Sequence, residues 1–83
     1  LSWAEAVGLR AIFFDPKNID VYRLMVDVYR DKDEPQNAMV VYERICSLQP
    51  TDVLNYLLYA RSAADAGHIE KAEAVLKYAI ALA

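Results

Sequence analysis

The stretch ERICSLQPTD, residues 43–52, closes one apolar run on a proline and opens the next with Thr51-Asp52. The stretch AIFFDPKN, residues 11–18, does much the same around Pro16. Sliding the chain against itself by the interval from Pro16 to Pro50 extends the match. Tyr22 falls on Tyr56, Leu24 on Leu58, Asp31 on Asp65, Ala38 on Ala72, Val41 on Val75 and Leu48 on Leu82. Going backwards, Ala4 meets Ala38, Val7 meets Val41 and Arg10 meets Arg44. These pairs sit where packing demands them: alanines where helices approach closely, tyrosines to fill the gaps between helices, and a proline to stop each run.

Between those marks the apolar period is helical. Gly67, Pro16 and Pro50 fall between apolar-periodic segments, as breakers should, and Pro35 opens one. Five helices are predicted. The first spans about residues 3–14, with Ser2 and Glu5 spaced as a capping box. The second spans about 19–32, capped by Asn18 or Asp20, with Tyr22, Met25, Val26 and Tyr29 in one stripe. Asp33 is the expected N-cap of the third, with Pro35 in its first turn and Ala38, Val41, Tyr42 and Ile45 on its apolar face. Thr51 or Asp52 caps the fourth, about 53–66, and Gly67 supplies its left-handed end. The fifth, about 69–82, is expected to bury Ala72, Val75, Leu76 and Ala79 and to pair Glu73 with Lys77 at i,i+4. No strict alternation of the kind a strand needs survives beyond a few positions, so the chain reads as all-α.

The period, caps and residue sizes together resemble the tetratricopeptide repeat, a helix–turn–helix unit of about 34 residues. Residues 19–52 carry Tyr22, Met25, Tyr29, Ala38, Tyr42 and Pro50 where that motif wants large, aromatic or small residues and its proline. Val26 and Ile45 are larger than the motif prefers there. Residues 53–83 carry Tyr56, Ala60, Gly67, Ala72, Leu76 and Ala79, with Tyr59 and Ala63 departing. Residues 1–18 resemble the second helix of an earlier unit, with Gly8 at a usual aromatic position. The resemblance thus covers the chain as about two and a half units of one domain, and implies an α-solenoid of about five antiparallel helices, expected to belong to a longer chain. A related half-repeat found in RNA-processing scaffolds is the alternative. Residues 56–60 (YLLYA) and 41–45 (VYERI) lean towards it, but no tryptophan sits at either aromatic position and Met39 replaces its arginine.

Eighty-three residues build one small domain, whose folding hides only about 60% of the unfolded surface. Nine basic and twelve acidic residues leave a formal charge of −3, without the basic stripe of a nucleic-acid domain. No apolar run reaches the roughly 18 residues of a membrane span. A single cysteine, Cys46, permits no intrachain disulfide and no cysteine-built zinc site. Its scarcity points to a reducing compartment, cytoplasmic before exported or membrane-anchored.

Nothing in the sequence assembles catalytic or cofactor chemistry. His68 is the sole histidine and is read as a solvated turn residue, since no cysteine, second histidine or paired acid accompanies it. Cys46 is read as a buried, inert thiol, because no His or Lys flanks it. Two isolated glycines cannot form a phosphate loop. Tyr22, Tyr29, Tyr42 and Tyr56 are assigned to interhelix packing, with Tyr59 and Tyr78 less constrained. No enzyme, cofactor or metal is therefore expected.

The resemblance implies a concave groove lined by the first helix of each pair. On this chain those positions are Asp20, Arg23, Asp27 and Arg30, then Leu54, Leu57, Arg61, Ala64 and Asp65. The bland alternative is that Arg23, Asp27 and Arg30, three or four apart, neutralise one another on a solvated face. The carboxylate clamp that binds chaperone tails is excluded, because Asp27 and Leu58 stand where it needs asparagines. The expected function is protein–protein recognition within a multi-subunit assembly, of a peptide or partner helix with at least two apolar anchors. Self-association through the terminal helices is a further expectation, because Tyr78, Ile80 or both are poorly placed for water.

Overall fold

The computed structural model describes residues 2–83. It contains five helices: α1 (Trp3–Phe14), α2 (Ile19–Asp31), α3 (Pro35–Leu48), α4 (Val53–Asp65) and α5 (Ile69–Leu82). Each helix packs on its neighbours in sequence and on no other, so the fold grows along one direction, 37 Å by 24 Å by 14 Å. The connecting turns run four, three, four and three residues.

The interval that separates Pro16 from Pro50 recurs in the bonding. Asn18 caps α2 and Asp52 caps α4, each side chain accepting from the backbone N–H two residues on. The Tyr22 hydroxyl donates to the Pro16 carbonyl at 2.7 Å, and Tyr56 donates to Pro50 at 2.8 Å. Both prolines thus present a carbonyl to the helix that follows, which fixes how the chain re-enters after each four-residue turn. In the three-residue turns, Glu34 N–H donates to the Tyr29 carbonyl and His68 N–H to Ala63, both at 2.8 Å. The residue before each donor lies in the left-handed region, Asp33 at φ 54° and Gly67 at φ 88°.

That geometry corrects one expectation. Asp33 does not cap α3. It terminates α2 at the place Gly67 occupies after α4, and Glu34 becomes the N-cap without a side-chain capping bond. Aspartate tolerates this conformation better than bulkier residues do. Pro35 opens α3 as expected. At α1, Ser2 Oγ accepts from Glu5 N–H at 3.2 Å, and the Glu5 carboxylate reaches back to Ser2 as well as to Lys32.

The core lies in the middle three helices. Tyr22, Met25, Val26 and Tyr29 of α2 are buried with Ala38, Met39, Tyr42, Ile45 and Cys46 of α3 and with Tyr59, Ala60 and Ala63 of α4. Tyr59 is therefore a core residue, its hydroxyl donating to Glu43 at 3.2 Å, although its place in the repeat constrains it less than the other tyrosines. From α5 only Ala72 and Ala79 are fully buried; Val75 is half-buried and Leu76 is exposed. The reason is positional: α5 packs on α4 alone, so one narrow stripe suffices to cover its contact. Glu73 and Lys77 form no ion pair, as expected of an exposed pair competing with water.

Two kinds of substitution test this packing. A Cβ at Gly8 would collide with Met25 Sδ, and Met25 is buried. Gly8→Ala should therefore destabilise the chain by about 1–3 kcal/mol through overpacking, against the ~1 kcal/mol that alanine normally gains over glycine in a helix. Tyr22→Phe should cost about 1 kcal/mol by removing the bond to Pro16, and Tyr56→Phe less, because its bond is exposed. Urea titration followed by circular dichroism reads all three.

Candidate functional site

The polar positions expected to line a groove divide into two groups. Arg30, Arg61 and Asp65 come together in one open cleft of about 450 Å³. Its floor is α3, through Ala38 and Tyr42; one wall is the end of α2 with the turn at Asp33 and Glu34, and the other is Leu58, Arg61, Ser62 and Asp65 of α4. Helices α2 and α4 do not pack on each other, so the gap between them is what α3 leaves uncovered. Asp27 lies beside Arg30 and Asp31 at the outer edge of α2. Asp20, Leu54, Leu57 and Ala64 are exposed but do not line the cleft.

Arg23 has a different role from the one expected. Its Nη2 donates to Gln49 Oε1 and to Asn55 Oδ1, both at 3.2 Å, while Asn55 Nδ2 donates to Gln49 Oε1 at 3.0 Å. Asn55 is only 1% exposed, and a buried amide without partners costs several kcal/mol. Arg23 therefore satisfies a buried amide and ties α2 to α4 across the turn that follows α3.

Nor do the charges on α2 neutralise one another. Among the described residues the ion pairs are those of Lys32 with Glu5 and with Glu34; Arg30, Arg61, Asp27 and Asp65 take part in none. Lys32 thereby holds α1 to the turn between α2 and α3. Its bond keeps the buried Glu5 carboxylate below the ordinary range, against the opposing effect of burial. In the cleft floor, burial pushes the Tyr42 phenol up, and Arg30 nearby is the largest influence in the other direction.

The floor of the cleft is the part that the sequence pattern does not announce. By sequence Tyr42 belongs to interhelix packing and Leu58 to a different clamp's geometry, yet both line it. A signal is nonetheless present in the repeat: the small Ala38 leaves space that Tyr42 only partly fills.

Elsewhere the expectations about chemistry meet the following geometry. Cys46 is buried, and burial pushes its thiol up to about 11. His68 is exposed at the start of α5, its Nε2 2.8 Å from Gln36 Oε1. No cluster of three metal-ligating side chains occurs among the described residues. No helix of the described residues is long and apolar enough to cross a membrane. Comparison with protein-family models, with curated proteins and with solved structures returns no match for this chain.

The buried thiol and phenols give the fold a pH limit. Burial raises Cys46 above its ordinary 9.0, and Tyr29, Tyr42, Tyr56 and Tyr59 above their ordinary 10.0. Each group is neutral when protonated, so its contribution is complete below the unfolded value and is lost as pH rises through the folded one. Thermal melting should hold level from neutral pH to about 9 and then fall progressively. Thiol labelling of the native protein near pH 8 should be slow and become fast in urea.

Proposed function

We propose that this chain is a non-catalytic recognition module of the tetratricopeptide type, which holds a peptide or partner helix in the cleft between α2 and α4. The observation that carries the reading is the placement of Arg30 and Arg61, from two different helices, at one cleft over an apolar floor, with neither side chain engaged in an ion pair among the described residues. Two guanidinium groups outside any described ion pair suit carboxylates, which they meet in a planar fork. Leu58, half-buried over Tyr42, offers surface to an apolar side chain of the same segment. The ligand class is thus an amphipathic segment carrying charges of both signs beside an apolar anchor, its acidic groups for Arg30 and Arg61 and its basic ones for Asp33, Glu34 and Asp65.

Other features support the family reading. Turns of three and four residues suit antiparallel hairpins. The left-handed turn residues, the caps and the tyrosine–proline bonds recur at the repeat's interval. On this reading residues 19–52 and 53–83 are successive units and residues 1–18 the second helix of one before them. A partner of the multi-subunit kind fits a cleft this open better than a small molecule does, since small-molecule sites bury most of their ligand.

The test compares proteins captured by immobilised wild-type chain with those captured by Arg30→Glu/Arg61→Glu. Both side chains are exposed, so circular dichroism should be unchanged. Loss of specific captured proteins, at least tenfold on titration of each, is the expected result. Equal capture by the double variant would remove the cleft from consideration.

A further inference from the structure

One cluster of charges lies at the joint between α1 and α2. Lys32, the C-cap of α2, places its ammonium between the Glu5 carboxylate of α1 and Glu34 Oε2 of the following turn, the latter at 3.2 Å. Glu5 is the one buried side chain of α1. Glu34 Oε2 is shielded from water and makes no hydrogen bond. The Tyr29 phenol of α2 is buried beside both carboxylates, and burial first, then the Glu5 charge, keeps its proton on. Ser2 completes the surroundings of Glu5 from the start of its own helix. Two carboxylates thus share one cation.

No other joint among the described residues contains an ion pair. Arg23 ties α2 to α4 through neutral amides, and Tyr59 ties α4 to α3 through a phenol. At the α1–α2 joint the Met25 side chain takes the space beside Gly8. Around that contact runs a shallow apolar groove of about 220 Å³, its lining including Trp3, Val7, Leu24 and Val28. This groove is a second concave surface, in the place that corresponds, one repeat interval earlier, to the floor and wall of the charged cleft. Among the described residues, the Glu5–Lys32 pair is the only side-chain hydrogen bond or ion pair from α1 to another element.

We infer that Lys32 is a charge-operated latch: while its ammonium holds Glu5, α1 stays docked, and loss of either charge lets α1 open as a unit from a folded α2–α5. A buried ion pair adds little net stability, but removing one partner is costly, because the other is left buried and uncompensated. Here the imbalance is larger, since loss of the ammonium leaves both Glu5 and Glu34 without their cation. The cost falls on one joint, because helices that pack only on their sequence neighbours can open locally. Whatever stands on the outer face of α1, this pair lies on the face turned to α2. The latch does not rest on the function proposed for the charged cleft, although Glu34 also lines that cleft.

The latch is closed at neutral pH and opens in acid. Lys32 holds Glu5 below its ordinary 4.5, so the contribution of the pair is complete above that value and is lost as pH falls through the folded one. Glu5 and Glu34 hold Lys32 above its ordinary 10.5, so its charge is present throughout the neutral range.

Hydrogen exchange followed along the chain tests the latch. Near neutral pH, Lys32→Met, which keeps the stem and removes the charge, should speed exchange of the α1 amides at least tenfold and leave those of α3 and α4 unchanged. Glu5→Gln should act in the same direction but less, because it leaves no carboxylate buried in α1. Glu34→Gln, which leaves Lys32 to Glu5 alone, should keep α1 at least as protected as in the wild type. In the wild-type chain, protection of α1, corrected for the intrinsic rate, should hold down to a pH of about 5 and drop below 4.5, before that of α3 and α4. Wild-type exchange of α1 in Lys32→Met overturns the inference. So does joint loss of protection in α1 and α4, which marks a single cooperative unfolding. Opening of α1 by Glu34→Gln as large as that by Lys32→Met overturns it too, as does α1 protection that outlasts that of α4 in acid.

Discussion

Every part of this molecule depends on one restriction: a helix has only its sequence neighbours to pack against. Stability in such a chain is close to a sum of nearest-neighbour terms. The middle helices, with a neighbour on each side, carry almost all the buried large side chains, and α1 and α5, with one neighbour each, leave theirs in water. That accounts for Leu76, Tyr78 and Ile80 at one end and Trp3, Phe13 and Phe14 at the other. Such sequential packing also makes the turns decisive, because their geometry alone sets how each helix meets the next. The tyrosine–proline bonds and the left-handed residues at positions 33 and 67 fix that geometry.

The helices are legible in the sequence because their punctuation is chemical. Asn18, Asp52, Pro35 and Gly67 each act through a property a single residue carries, namely a side-chain acceptor, a fixed φ or the absence of a Cβ. The core of α2 is equally visible, since four residues at helical spacing leave little choice of face. Asp33 is harder to read because aspartate can act as a cap or sit in a left-handed turn, and only the turn length decides between them. Leu76 misleads because periodicity shows that a face is apolar but not whether a neighbour exists to cover it.

For the candidate site, the sequence points to the right helices but does not resolve the partners of each charge. Residues 23, 27 and 30 share a face, and spacing alone suggests mutual neutralisation. What intervenes is Asn55, a buried amide nearly a full unit away in sequence, whose need for a donor draws Arg23 out of the groove. Exposed i,i+3 and i,i+4 pairs gain too little to hold two long side chains together, whereas an unsatisfied buried amide costs more. The larger effect decides the position of Arg23, and Arg30 stays outside the described ion pairs.

The two concave surfaces occupy equivalent places and differ through a few substitutions. Tyr42 lines one floor, whereas at Gly8 the Met25 side chain takes the space, and Ser62 against Val28 makes a wall polar or apolar. The charged cleft is further completed by a helix on its far side, α2, and the turn after it supplies Asp33 and Glu34. No described helix stands in that position beside α1. Helix α2 serves both surfaces, with Leu24 on one and Arg30 on the other. Those residues are six apart, about 120° around the helix at 3.6 residues per turn. Each surface can therefore be altered without touching the other.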